Sequence, residues 1–170
     1  STRQPSPSPL GALARRSEQT ITGRALACLV AADRHHQLAT EIEPALADGA
    51  TVICDRYIES SLVLQRIDGV PTDDIHAING GLRRPDLRIR LTAPEKLIHA
   101  RLNARNRGPE RRFESLPNAA ALELELYDSA DKLLRDHYDL ASVLIDTSTD
   151  DAATHAEGIS RIIRSKEDQP

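Results

Sequence analysis

The chain has 170 residues, enough for one domain with its own core. It is 39% hydrophobic and 28% charged with a formal net charge of −4, which fits a soluble globular protein and argues against a general nucleic-acid binder, whose surface would be basic. No stretch approaches the roughly 18 apolar residues of a membrane-spanning helix, and the Pro/Ser-rich start lacks a signal-type apolar core, so a cytoplasmic protein with neither membrane nor nucleic acid as partner is expected.

Residues 1–9 read as a loop, because Pro5, Pro7 and Pro9 fix φ and restrict their neighbours. Leu10 to Ser17 is predicted as a short helix. A longer one starts at Thr20 or Thr22, with Leu26, Leu29 and Val30 on one side, and runs on through Leu38, Ile42, Ala45 and Leu46. Pro44 kinks or divides it and Asp48-Gly49 ends it. Thr51-Val52-Ile53-Cys54 has the apolar, β-branched character of a buried parallel strand. Helices over 60–66 and 71–79 follow, the second closed by Gly80-Gly81. Leu87–Leu91 is a second strand and Pro94 opens a helix to Asn106. An arginine-rich loop covers 105–114, a long amphipathic helix 119–137, a third strand 142–145 and a last helix 150–164; residues 165–170 form a frayed tail. Such alternation predicts an α/β fold, a parallel sheet flanked by helices, in a single domain over 1–170.

Two features point to chemistry. In open α/β sheets ligands bind beyond the carboxyl ends of the strands, and Asp55-Arg56-Tyr57 follows a strand directly. A carboxylate there can hold magnesium through water or orient a phosphate acceptor, and a neighbouring arginine can clamp phosphoryl oxygens; a surface ion pair is the bland alternative. The chain also carries 19 arginines against 3 lysines, with Arg101, Arg105, Arg107, Arg111 and Arg112 clustered around Gly108-Pro109. Arginine suits bidentate phosphate contact, and such a loop suits a lid; a solvated basic loop is the alternative. Cys28 and Cys54 are too far apart to suggest a zinc site, and adjacent His35-His36 diverge on a helix and make a poor metal pair.

Four segments, in order, resemble thymidylate kinases. Thr2-Arg3-Gln4-Pro5 with Pro9-Leu10-Gly11 is similar to the family's TREPGGTPLG loop. Leu29-Val30-Ala31-Ala32-Asp33-Arg34 resembles LFAADR. Asp55-Arg56-Tyr57 with Ser60-Ser61 and Gln65 resembles DRY..SS...Q, and Pro85-Asp86-Leu87 with Arg112-Phe113-Glu114 resembles PDL and the lid's RFE. The resemblance implies a P-loop NTPase-type sheet and transfer of the ATP γ-phosphoryl group to dTMP with magnesium, commonly in a homodimer. It implies that Arg3 holds the acceptor's phosphate, that Arg34 reaches the base, and that Asp55 and Arg56 lie between the nucleotides, Asp55 serving magnesium through water. Tyr57, Ser61 and Gln65 line the acceptor pocket with Val30 and Leu64, which replace family aromatics, and Arg105, Arg107 and Arg112 are the lid candidates.

The departures set further expectations. Val30 and Leu64 remove ring stacking on the base, which motivates a kinase for another pyrimidine nucleotide or nucleoside as an alternative. Gln4 replaces the usual acid, and Ser6-Pro7 replace a glycine pair. No G-x-x-x-x-G-K-[ST] occurs, so the first strand, P-loop and second strand of the family are expected to be missing and the chain, as it stands, to be nearly inactive. A non-catalytic protein that binds nucleotide or a partner is the alternative from another class.

Overall fold

The computed structural model describes residues 1–104, 119–139, 141–149 and 151–167. In chain order it has β1 (Thr2–Arg3), α1 (Pro9–Ser17), α2 (Gly23–Gln37), a π-helical turn (Leu38–Ile42), α3 (Glu43–Ala47), β2 (Cys54–Asp55), α4 (Ile58–Ile67) and α5 (Thr72–Ile78). Then follow β3 (Arg88–Thr92), α6 (Glu95–Ala104), α7 (Ala119–Tyr138), β4 (Ser142–Asp146) and α8 (Ala152–Glu167). The described residues gather into two compact units, one drawn from 1–84 and 110–130, the other from 85–109 and 131–170. Each holds a parallel strand pair, β1–β2 and β3–β4, the strand direction that the helix–strand alternation predicts.

In the first unit the chain opens on a strand, where the prolines predict only a loop. Thr2 N–H donates to the Ile53 carbonyl at 2.8 Å and Gln4 N–H to the Asp55 carbonyl at 2.9 Å. Pro5 and its successors lie beyond the paired residues, so the missing N–H groups cost the ladder nothing. The partner strand is correspondingly displaced: Cys54–Asp55 pairs, rather than Thr51–Cys54, because β1 offers only two residues to pair with.

Local rules account for the helices around this pair. Ser8 caps α1, its hydroxyl accepting from Gly11 N–H at 3.2 Å, and Pro9 fills a first-turn position that needs no N–H. Thr22 occupies the cap position of α2 but makes no side-chain cap bond; the Gly23 N–H is bonded instead by the Asp68 carboxylate, an anion placed against the helix N-terminus. Pro44 neither breaks the helical path nor kinks it alone. The π-helical turn just ahead of it absorbs the lost N–H and the ring's clash with the preceding turn. Gly49, at φ +80°, then ends α3. Leu26, Ala27 and Ala31 of α2, Leu62 and Val63 of α4 and Ile75 of α5 are buried and form the core. Each such side chain contributes about 1.5–3 kcal/mol when fully buried, less for alanine.

In the second unit, β3 and β4 pair from Arg88↔Ser142 to Thr92↔Asp146. Asp131 of α7 joins both strands: it accepts from Arg88 at 3.0 Å and Ser142 at 2.6 Å, and from Arg135 one turn on at 2.7 Å. Arg101 of α6 donates to the Thr147 hydroxyl and carbonyl at 2.8 and 2.6 Å. Among the described residues no helix is long and apolar enough to cross a membrane.

Candidate active site

The carboxyl ends of β1 and β2 meet at one edge of the first unit. Their register pairs Arg3 with Asp55, each the last residue of its strand. Arg56 follows at φ +69°, a left-handed backbone that costs a non-glycine residue about 1–3 kcal/mol. All three side chains are exposed and make no hydrogen bond or ion pair among the described residues. A carboxylate and two guanidiniums are thereby presented together where parallel strands end.

Arg34 lies behind this edge and is 2% exposed. Its Nε donates to Gln4 Oε1 at 2.6 Å, its Nη2 to Ser61 Oγ at 2.8 Å and the Tyr57 carbonyl at 3.4 Å, and its Nη1 to Asn79 Oδ1. The guanidinium also stands 5.9 Å from the centre of the Tyr57 ring, within cation–π range. Burial pushes its pKa down to about 10, against the opposing influence of Tyr57, Cys54 and Asp33, so it stays cationic at neutral pH. None of the four acceptors carries a formal charge. One turn beyond Ser61 on α4, Gln65 is buried and its Oε1 has no hydrogen-bond partner. A buried carbonyl in that state leaves an acceptor unsatisfied.

Asp33, next to Arg34 on α2, organises the loop that carries Arg3. It is 1% exposed and accepts from Ser6 N at 2.7 Å, Ser6 Oγ at 2.5 Å and Ser8 Oγ at 2.9 Å. Arg15 donates to the Pro5 and Ser6 carbonyls at 2.6 and 2.8 Å. Tyr127 of α7 is raised in pKa by burial, opposed by a hydrogen bond to Ser60 and the charge of Arg56.

The structure therefore brings together Arg3, Asp55 and Arg56 at the strand ends, and Arg34, Tyr57, Ser61 and Gln65 behind them. Val30 lies one turn before Arg34 on α2, and Leu64 lies beside Gln65 on α4; both are half-buried. The lid candidates Arg105, Arg107 and Arg112 lie outside the described residues. Sequence reasoning passed over Asp33, Gln37, Asn79 and Tyr127. A polar residue on the apolar face of α2 was the available signal for the first two.

An exposed carboxylate–guanidinium group stands at the carboxyl ends of parallel strands with a buried polar network behind it, the place where α/β proteins bind their ligands. The family model for "Thymidylate kinase" matches residues 1–140. The chain belongs to the thymidylate kinase family. It is 41% identical over 117 residues to "Probable thymidylate kinase" of Caldivirga maquilingensis, covering 66% of this chain and 56% of that protein. It is 33% identical over 168 residues to "Thymidylate kinase" of Xanthomonas euvesicatoria, covering 89% and 74%. The chain thus spans little more than half the length of the Caldivirga protein, and 60% of a similar one from Pyrobaculum aerophilum. Solved thymidylate kinases from Candida albicans and Ehrlichia chaffeensis share the fold at TM-scores of 0.71 and 0.61, each with 18% identity, covering 98% and 95% of this chain and 79% and 78% of theirs.

Proposed function

We propose that this chain carries the acceptor side of a dTMP kinase, which transfers the γ-phosphoryl group of ATP to dTMP to give dTDP. The observation that carries the reading is the placement of Arg3, Asp55 and Arg56 at the carboxyl ends of one parallel strand pair. Arg3 holds the acceptor phosphate, and Arg56 offsets the charge that builds on the oxygens in flight. Behind them, Gln65 Oε1 needs a donor and Arg34 has used four of its five N–H groups, leaving one to give. The imide edge of thymine supplies both complements, a ring N–H beside a carbonyl oxygen. Tyr57, Val30 and Leu64 wall the pocket, with Arg105, Arg107 and Arg112 as candidates to close over the phosphates.

Magnesium fits this arrangement as an ion carried in with the nucleotide. Among the described residues no cluster of three or more His, Cys, Asp or Glu side chains could hold a metal, whereas Mg2+ commonly keeps its waters and takes one or two carboxylates beside substrate phosphates. Asp55 would hold it through water, and the ion would neutralise phosphate charge. A glycine-rich cradle for the donor phosphates does not occur in these 170 residues, so their contribution concerns the acceptor. A homodimer working in the cytoplasm, with the whole chain acting as one domain, completes the proposal.

An acceptor panel tests it. Equilibrium binding of dTMP, dUMP, dCMP and UMP should place dTMP, with dUMP that shares its imide edge, ahead of dCMP, whose donor and acceptor stand in the opposite order on that edge, by at least about tenfold, the worth of one mispaired buried group. Tighter binding of dCMP overturns the reading.

A further inference from the structure

The buried polar network does not stop at Arg34. A guanidinium can only donate, so Gln4 must turn its Oε1 towards Arg34 Nε, which leaves Gln4 Nε2 to donate onward. It donates to Gln37 Oε1 at 3.2 Å. That in turn commits Gln37 Nε2, which reaches Thr2 Oγ1 at 2.7 Å, Glu41 Oε2 at 3.0 Å and the Arg3 carbonyl at 3.2 Å. The chain of donors therefore has one direction: Arg34 to Gln4, Gln4 to Gln37, Gln37 to the β1 strand and a carboxylate. Gln4 and Gln37 are 6% and 1% exposed, so neither amide has water as an easy substitute.

The geometry points to Gln37 as a positioning residue of the acceptor site, setting the place of Arg3 relative to Arg34 through two buried amides. This rests on the reading that Arg3 holds the acceptor's phosphate and Arg34 its base. Among the described residues β1 spans two residues and its ladder is the short pairing with β2. Gln37 ties both of those residues to α2, one helical turn after Asp33 and Arg34 have fixed the loop and the pocket. Glu41 reaches Gln37 from within the π-helical turn, and its carboxylate ends the chain of amides that starts on a buried cation. A side chain that merely filled space would need no such ordered set of donors.

Asn79 provides the contrast. It bonds Arg34 and the Ile75 carbonyl and reaches neither Thr2 nor Arg3. The two ends of the site can therefore be loosened separately.

The test compares dTMP with thymidine, the same base and sugar without the phosphate, by equilibrium binding to the purified wild type, Gln37→Leu, Asn79→Ala and Thr2→Val. Thr2→Val removes one acceptor at the start of the chain and guards against a Gln37 variant that fails to fold; circular dichroism reports folding for all four proteins. Wild type should favour dTMP over thymidine. Gln37→Leu should reduce that preference at least tenfold and Thr2→Val about threefold, while Asn79→Ala should weaken both ligands alike and leave the preference within about twofold. If wild type discriminates and Gln37→Leu or, where that does not fold, Thr2→Val keeps the full preference, the positioning role is overturned while the kinase reading stands. If wild type binds neither ligand, both fall together.

Discussion

Arg3 and Asp55 close their strands side by side: they are register partners in the parallel β1–β2 pair, and each is its strand's last residue. Neighbouring strands run about 4.8 Å apart, so a guanidinium and a carboxylate leave the sheet side by side at one end, as the proposed phosphate and magnesium roles require. Arg56 adds a second cation one residue further on, through a left-handed backbone that only the surrounding structure can hold.

That backbone separates stability from function. Arg56→Gly relieves the left-handed penalty but adds glycine's own entropy in the unfolded chain. The expected net gain is about 0.5–1 kcal/mol in urea unfolding, accompanied by weaker dTMP binding. A glycine variant less stable than its parent would show that the cost does not reside at φ of residue 56.

Gly11 is where α1 meets the loop that carries Arg3. A Cβ there would fall 2.1 Å from the Ser6 carbonyl oxygen and 2.6 Å from its nitrogen, too close for any real contact. Gly11→Ala must displace the loop or the helix, at about 1–3 kcal/mol. We expect a lower Tm and at least tenfold weaker dTMP binding. Thymidine titrated alongside should lose less, because the displaced loop bears the phosphate end.

The first unit's helices and their order were legible in sequence, because apolar spacing, prolines and glycines act locally. The helix over Leu10–Ser17 was legible, although α1 takes in Pro9, which reads as loop, and Asp48-Gly49 marked the end of the α2–α3 path. β1 was not legible: two residues ahead of a run of prolines carry no pattern, and their partner lies some fifty positions on. The candidate site divides in the same way. Arg3, Arg34, Asp55, Arg56, Ser61 and Gln65 were singled out through motifs. Asp33, Gln37 and Asn79 do their work by contacts 25 to 45 residues away in sequence, which no local rule reports. Asp131 was hidden similarly, an acid beside Ala130 and before Leu134 on the buried side of α7.

Cys54 tests the electrostatics beside the site. Burial raises its thiol to about 11, outweighing the opposite pull of Arg34. Only the thiolate reacts with alkylating agents, so at pH 8 its iodoacetamide rate should be about a hundredfold below that of an ordinary thiol and should keep rising through pH 10. Peptide mass mapping separates it from exposed Cys28. A rate that levels off near pH 9 would refute this environment.

Asp131 gives the second unit an acid-sensitive clasp. Burial works to raise its pKa, but hydrogen bonds from Ser142 and Arg135 and the charge of Arg88 outweigh burial and hold it below 3.8. A carboxyl depressed in the folded state stabilises fully above its unfolded value and loses that contribution as pH falls through the folded one. Stability should therefore drop below about pH 4 in wild type. Asp131→Asn should cost about 1–3 kcal/mol at pH 7, since the amide loses the charge that the carboxylate offers Arg88 and Arg135 and cannot accept from all three donors as well, and should lose this acid step. An unchanged acid profile in the variant would assign the loss to other carboxylates.

Arg3, at the end of β1, is placed to receive the phosphate of a nucleoside monophosphate in the proposed reaction. Calorimetric titration of dTMP and thymidine into wild type and Arg3→Ala tests it most directly. dTMP should bind wild type at least tenfold more tightly than thymidine, about 1.4 kcal/mol, and most of that advantage should vanish in Arg3→Ala while thymidine binding stays within about twofold. Equal affinity for the two ligands in wild type, or an advantage that survives the loss of Arg3, would contradict it.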